Sequence, residues 1–247
     1  TVLCSNFSNK LIKTLGNNVS EYIDIDPIMS DIIIETSKSD YKERLYNELS
    51  IQDLKNNTPT LIVSFFDSTA GLYSILTYES YIIFLDSIID LAKSHPNILF
   101  LLKTKKGPSF HEHSAIKDKM NQLKKENNFR YANKYNFSSY KVMGFSDIVV
   151  SAPESSIIYE ALYAGKKTIC YDPQGRYRKF ESLSHIIPNC TAYNYDEFLN
   201  ILTYWLNISE QEHENYIIEY VQKFFTSKIG SGNNIQKLRN CIQTESV

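Results

Sequence analysis

Ser155, Ser156 and Glu160 lie in the stretch APESSIIYEALYAG (152–165), where an apolar run gives way to a polar turn and then to helical spacing. The pattern predicts a helix over 155–165. Backbone N–H groups in a first helical turn lack intrahelical acceptors and, with the helix dipole, favour an anion. Two hydroxyls add donors there without bulk, so a phosphate is the natural guest. Glu160 follows Ser156 by four residues and faces the same way, about 5.4 Å along the axis. A carboxylate would repel a phosphate, but it accepts hydrogen bonds from a vicinal diol such as a ribose. Together the three residues suit a nucleotide. The same residues also fit a plain N-cap serine followed by solvated carboxylates at Glu154 and Glu160, and the spacing leaves both readings open.

Two further groups could do chemistry. DPQGRYRKF (172–180) carries Arg176, Arg178 and Lys179 on a loop with a glycine. Guanidinium groups there suit a sugar carboxylate or a diphosphate through paired contacts, or form an ordinary solvated basic loop. SFHEHSAI (109–116) sets His111 and His113 two apart around Glu112. No third ligand with metal-site spacing is nearby, so no metal is expected. Cys4, Cys170, Cys190 and Cys241 are widely separated, which fits reduced thiols in a cytoplasmic protein better than a disulfide or zinc framework. No Ser-His-Asp ordering, GxSxG elbow or Walker A pattern is present.

The elements that must hold these residues follow from the apolar rhythm. TLIVSFFD (60–67), NILFLLKTKK (97–106), DIVVSA (147–152) and KTICYD (167–172) read as buried strands. FRYANKYN (129–136) and NCTAY (189–193) read as shorter strands, the latter at an edge. Helical spacing separates them at 79–95, 112–127, 138–146 and 155–165, with further helices near 195–207, 209–226 and 231–243. Strands alternating with helices imply parallel pairing through right-handed crossovers. The expected fold is therefore α/β: a doubly wound, Rossmann-like parallel sheet from about residue 58, with C-terminal helices. Ahead of it, DYKERLYNELSIQDL (40–54) reads as a charged helix and KNNTPT (55–60) as a loop. A net charge of -2 argues against broad binding to nucleic acid. No apolar run reaches the length of a spanning helix.

SDIVVSAPESSIIYEALYAGKKTICYDP (146–173) resembles the donor-nucleotide motif in the C-terminal half of GT-B-fold glycosyltransferases. It looks closest to bacterial surface-polysaccharide enzymes, namely Kdo-type transferases and CDP-glycerol glycerophosphotransferases; the latter usually carry Asp where this chain has Glu160. The resemblance is specific in 146–173 and topological over the rest of 58–243. It implies that Ser155 and Ser156 contact the donor phosphate and Glu160 the ribose. It also puts Lys103 or Lys105 against the leaving phosphate, and Asp67, Ser68 and Thr69 near the transferred sugar, with Asp67 the local candidate for the catalytic base. Arg176 and Arg178 lean toward an acidic sugar.

The loop after 60–67 departs from a glycine-rich cradle, holding only Gly71. Residues 1–57 are too short for a complete acceptor-binding half and read as its remnant plus a linker, with 58–247 as the nucleotide-sugar-binding domain. The resemblance thus implies a transferase in capsule or lipopolysaccharide assembly. It would use a CMP-, CDP- or UDP-linked donor, a glycan or lipid-linked acceptor and no separate cofactor. It would act in the cytoplasm, or peripherally at the inner membrane face through a missing half. A sugar-nucleotide 2-epimerase-like enzyme and a non-catalytic nucleotide-binding module are the alternatives.

Overall fold

The computed structural model describes residues 2–3, 23–38, 49, 61–68, 70, 76–105, 113–132, 137–153, 155–179 and 182–244. Thr69, Gly71, His111, Glu112, Glu154, the loop 55–60 and all of the charged stretch 40–54 except Leu49 lie outside the described residues.

The main sheet has six strands, all parallel: β3 (Leu61–Asp67), β4 (Ile98–Lys103), β5 (Phe129–Ala132), β6 (Ile148–Ala152), β7 (Lys167–Tyr171) and β8 (Thr191–Ala192). Their spatial order is β5-β4-β3-β6-β7-β8. The chain therefore builds outward from β3 in one direction, returns, and builds outward from β6 in the other. β4 and β6 are buried along their whole length. This is why they read as unbroken apolar runs rather than as alternating ones.

One face of the sheet is covered by α2 (Tyr78–Ser94), α3 (Ser114–Leu123) and α7 (Tyr195–Asn207), with Phe65, Phe84, Phe100, Tyr171 and Phe198 in the shared core. The opposite face holds α4 (Ser139–Phe145), which packs through Val142 and Met143 against Ile62, Leu99 and Val149. α5 (Ser156–Tyr163) links β6 to β7, and α6 (Leu183–Ile186) precedes β8.

Part of the described segment ahead of the sheet packs on its helices. Val2–Leu3 (β1) pairs in parallel with Ile23–Asp24 (β2), and α1 (Ser30–Ser37) lies across α4 and α5. Gly144 permits that contact: a Cβ there would sit 2.5 Å from the Thr36 Cβ. Two buried carboxylates tie this segment to the chain's other end. Asp26 accepts from Thr226 N–H (3.0 Å), Thr226 O–H (2.8 Å) and Ser227 N–H (2.7 Å). Asp31 accepts from Ile235 N–H (2.8 Å) at the start of α9 (Asn234–Thr244).

The helix expected over 209–226 is divided. α8 (Glu210–Tyr216) begins with a Ser209–Glu212 capping box and runs into a wide turn over Ile217–Val221 and a tight one over Gln222–Phe224. Tyr216, Val221 and Phe225 all face the core. The five-residue step between the first two is one that the wider turn accommodates and a regular α-turn does not.

Candidate functional site

In a doubly wound sheet the crevice opens beyond the carboxyl ends of the strands where the strand order reverses. Here that point lies between β3 and β6. The ladder levels the strand ends: Asp67 pairs with Ala152, and Phe66 with Lys103. A cavity of about 210 Å³ opens there. β3 supplies Phe66, Asp67 and Ser68, and the end of β4 supplies Lys103, Thr104 and Lys105. The first turn of α4 adds Ser139 and Tyr140, and α5 adds Ser155, Ser156 and Ile157.

Asp67 is the buried acid of this wall. Its Oδ1 accepts the Lys105 N–H at 2.6 Å and its Oδ2 the Tyr81 O–H at 2.9 Å. Burial pushes its pKa up from 3.8 to about 7, against the opposing pull of those hydrogen bonds and of the Lys103 and Lys105 charges. Lys103 is itself only 4% exposed, and its ammonium donates to Thr104 O at 3.4 Å. Behind them the Thr104 hydroxyl and Tyr131 O–H share a hydrogen bond of 2.7 Å.

The two serines have different situations. Ser151, near the end of β6, donates its single proton to Pro153 O at 2.8 Å. Its 2.9 Å contact with the Ser155 hydroxyl therefore uses the Ser155 proton. Ser155 stands at the N-cap position with extended backbone, but its side chain does not cap the helix. Ser156 is exposed, and its hydroxyl has no partner among the described residues, leaving it ready to donate to a guest.

Glu160 lies one turn deeper and does not line the cavity, but it acts on Tyr140, which does. Burial and then the Glu160 charge push the Tyr140 hydroxyl pKa up. Glu160 Oε2 is buried without a hydrogen-bond partner among the described residues, and burial raises the carboxyl from 4.5 to about 7. Ser30 of α1 fixes the same residue from behind by donating to its backbone carbonyl at 2.9 Å.

The cavity thus gathers Asp67, Ser68, Lys103, Lys105, Ser155 and Ser156. Arg176 and Arg178 stand apart, on the exposed loop after β7. Arg178 pairs with Glu197 at 3.0 Å and lies 4.7 Å from the centre of the Tyr193 ring. His113 stacks on Tyr78, their rings 5.0 Å apart. Among the described residues no cluster of His, Cys, Asp and Glu has the makings of a metal site, and no helix is long and apolar enough to cross a membrane.

Sequence reasoning passed over Ser151, Tyr81 and Tyr140. A polar residue near the end of the apolar run IVVSA was a usable signal for Ser151. Tyr81 gave none, since it sits on the core side of an ordinary amphipathic helix.

Residues 7–202 match the model of the polysaccharide biosynthesis PFTS motif protein family. The chain belongs to that family. No curated protein sequence matches this family member. Among solved structures it is similar to the wall teichoic acid polymerase TagF, with TM-score 0.67 and 14% identity over 99% of this chain and 57% of that one. A TagF variant soaked with CDPG has TM-score 0.64, 13% identity and coverage of 98% and 55%. UDP-GlcNAc 2-epimerase from Neisseria meningitidis, bound to UDP-GlcNAc, gives 0.61 at 13% identity, covering 97% and 60%. Anabaena Alr3699/HepE, in complex with UDP and glucose, gives 0.52 at 18%, covering 99% and 62%. These likenesses bear out the fold, a Rossmann-like half of the GT-B kind, and the family member spans under two thirds of each of these proteins.

Proposed function

We propose that the switch-point cavity binds the diphosphate of a nucleotide-activated sugar, and that the protein transfers that sugar during surface-polysaccharide assembly, of capsule or lipopolysaccharide type. One observation carries the reading: Lys103, Lys105, Ser156 and Asp67 line one cavity, beside strand ends that the ladder levels and at the start of a helix. As the bond between sugar and phosphate breaks, negative charge grows on the leaving diphosphate. The first turn of α5, the Ser156 hydroxyl and the two lysines would oppose it in a partly enclosed site, where fixed dipoles act strongly. Glu160, with an unpartnered carboxylate oxygen beyond Tyr140, would take the ribose hydroxyls. Asp67 is the acid/base group within reach, and Ser68 and Thr69 would flank the sugar.

The similar structures hold CDPG, UDP-GlcNAc and UDP, which supports a cytidine or uridine donor. The acceptor would be a glycan or a lipid-linked glycan, reached from the cytoplasm or at the inner membrane face.

Thermal shift with CMP, CDP, UDP and GDP tests the reading. A pyrimidine nucleotide at a hundred times its Kd should stabilise the fold by about 2.7 kcal/mol. That shift should disappear in Ser156→Ala and Glu160→Ala. Variants that respond like wild type would remove the site from residues 155–160.

A further inference from the structure

We propose that the cavity takes its phosphate guest together with a proton, which Asp67 receives. The proposal rests on the nucleotide reading above and adds to it the protonation state in which the occupied site works.

Asp67 is 9% exposed and forms part of the same surface as Lys103, Lys105 and Ser156. The groups facing it come from several elements. Lys103 and Lys105 approach from the end of β4, Tyr81 from α2, and Tyr131 from β5; Tyr140 and Glu160 stand beyond, on α4 and α5. Tyr81 and the Lys105 amide donate to Asp67 but carry no net charge. An ionised Asp67 thus leaves the wall with two ammonium groups against one carboxylate.

A diphosphate diester brings two negative charges to that wall. With Asp67 ionised, the guest meets a like charge that water barely screens, and a like charge favours the neutral carboxylic acid. Burial already holds the empty-site carboxyl at about 7, so added negative charge carries it above neutrality. Once Asp67 is protonated, both lysines are left to face the diphosphate. Asp67 then donates to the Tyr81 oxygen, with the Tyr81 hydroxyl turning about its C–O bond from donor to acceptor. In the occupied site Asp67 is therefore an acid and not a base.

Calorimetry with UDP-glucose and CDP-choline decides the matter. Both are diphosphate diesters without the monoester ionisation near pH 6, so their own protons do not enter. Heats are compared at pH 8.0 in two buffers of contrasting ionisation enthalpy. At that pH the Asp67 of the empty site is mostly ionised, and Glu160 is too, so proton release from Glu160 adds little. The expected result is net proton uptake on binding, at most about 0.9 per bound guest, with Kd rising by up to about eightfold between pH 7.5 and 8.5. Asp67→Asn should show neither effect. The wild-type measurement stands alone if that variant does not fold. Binding without proton uptake, or equal uptake in Asp67→Asn, would overturn the proposal and leave the nucleotide reading intact. Failure of both probes to bind wild type at pH 6.5 would overturn that reading, and this proposal with it.

Discussion

Gly144→Ala is expected to destabilise the fold by about 3 kcal/mol, since overpacking at a fixed helix contact has that scale. The added methyl would lie 2.5 Å from Thr36 Cβ, 2.7 Å from its Cγ2 and 3.0 Å from Ile33 O. None of these is the far end of a flexible side chain, so α1 as a whole must move off α4. The contacts made there would go with it, including the 3.0 Å contact of the Ser37 hydroxyl with Gly144 O, its proton shared with Ile33 O at 2.8 Å. For a chain of this size such a loss lowers the melting temperature by on the order of 10 °C. The site should feel it as well, because α1 backs Glu160 through Ser30 and the first turn of α4 lines the cavity. Adding Thr36→Gly removes the nearest two atoms and should recover part of the loss, less the ordinary penalty for a helical glycine. A Gly144→Ala protein that melts like wild type would show that α1 does not dock as described.

Asp67→Asn should have the opposite sign. The folded protein holds the Asp67 proton up to about pH 7, whereas the unfolded chain releases it near 3.8. Between those values the folded state binds more protons, so stability falls as pH rises through the window and stays low above it. Over that interval the linked change is on the order of 4 kcal/mol. Asn does not titrate, keeps an oxygen for the Lys105 amide and can donate to the Tyr81 oxygen. The variant should therefore be more stable than wild type at pH 8, by on the order of 3 kcal/mol once altered hydrogen bonds are allowed for, and about equal to it near pH 4. Glu160, raised by burial to about 7, leaves both proteins a shared downward slope. Unfolding curves in denaturant at pH 4, 6 and 8 measure the difference, and parallel behaviour across that range would contradict the buried acid.

Much of the fold was legible because the signals are local. LIVSFFD, ILFLLK and IVVSA are largely apolar on both faces, and each carries a polar residue at or next to the strand's end, so the sheet and its carboxyl edge could be read off. The helix start at Ser155–Ser156 and the basic end of β4 were legible for the same reason. What escaped was non-local. The register that levels Asp67 with Ala152 depends on crossovers of many residues and leaves no mark in either strand. Asp26 and Asp31 find their partners some two hundred residues away, so nothing local announced that α1 packs on the sheet's helices. Ser155 and Ser156 look alike in sequence, and only the Ser151–Pro153 hydrogen bond separates their protons. Arg178 looked available as a loop guanidinium and is held by Glu197 and Tyr193.

The central claim is that a nucleotide's phosphates dock where β6 turns into α5. Amide resonances of the 15N-labelled protein, followed while CDP or UDP is added, test it most directly. The largest shifts should fall on 155–158 and 103–105, with smaller ones at 139–140. Shifts confined to other surfaces, such as the groove between α1 and α9 around Lys38, Gly232 and Gln236, with 155–158 unmoved, would contradict it.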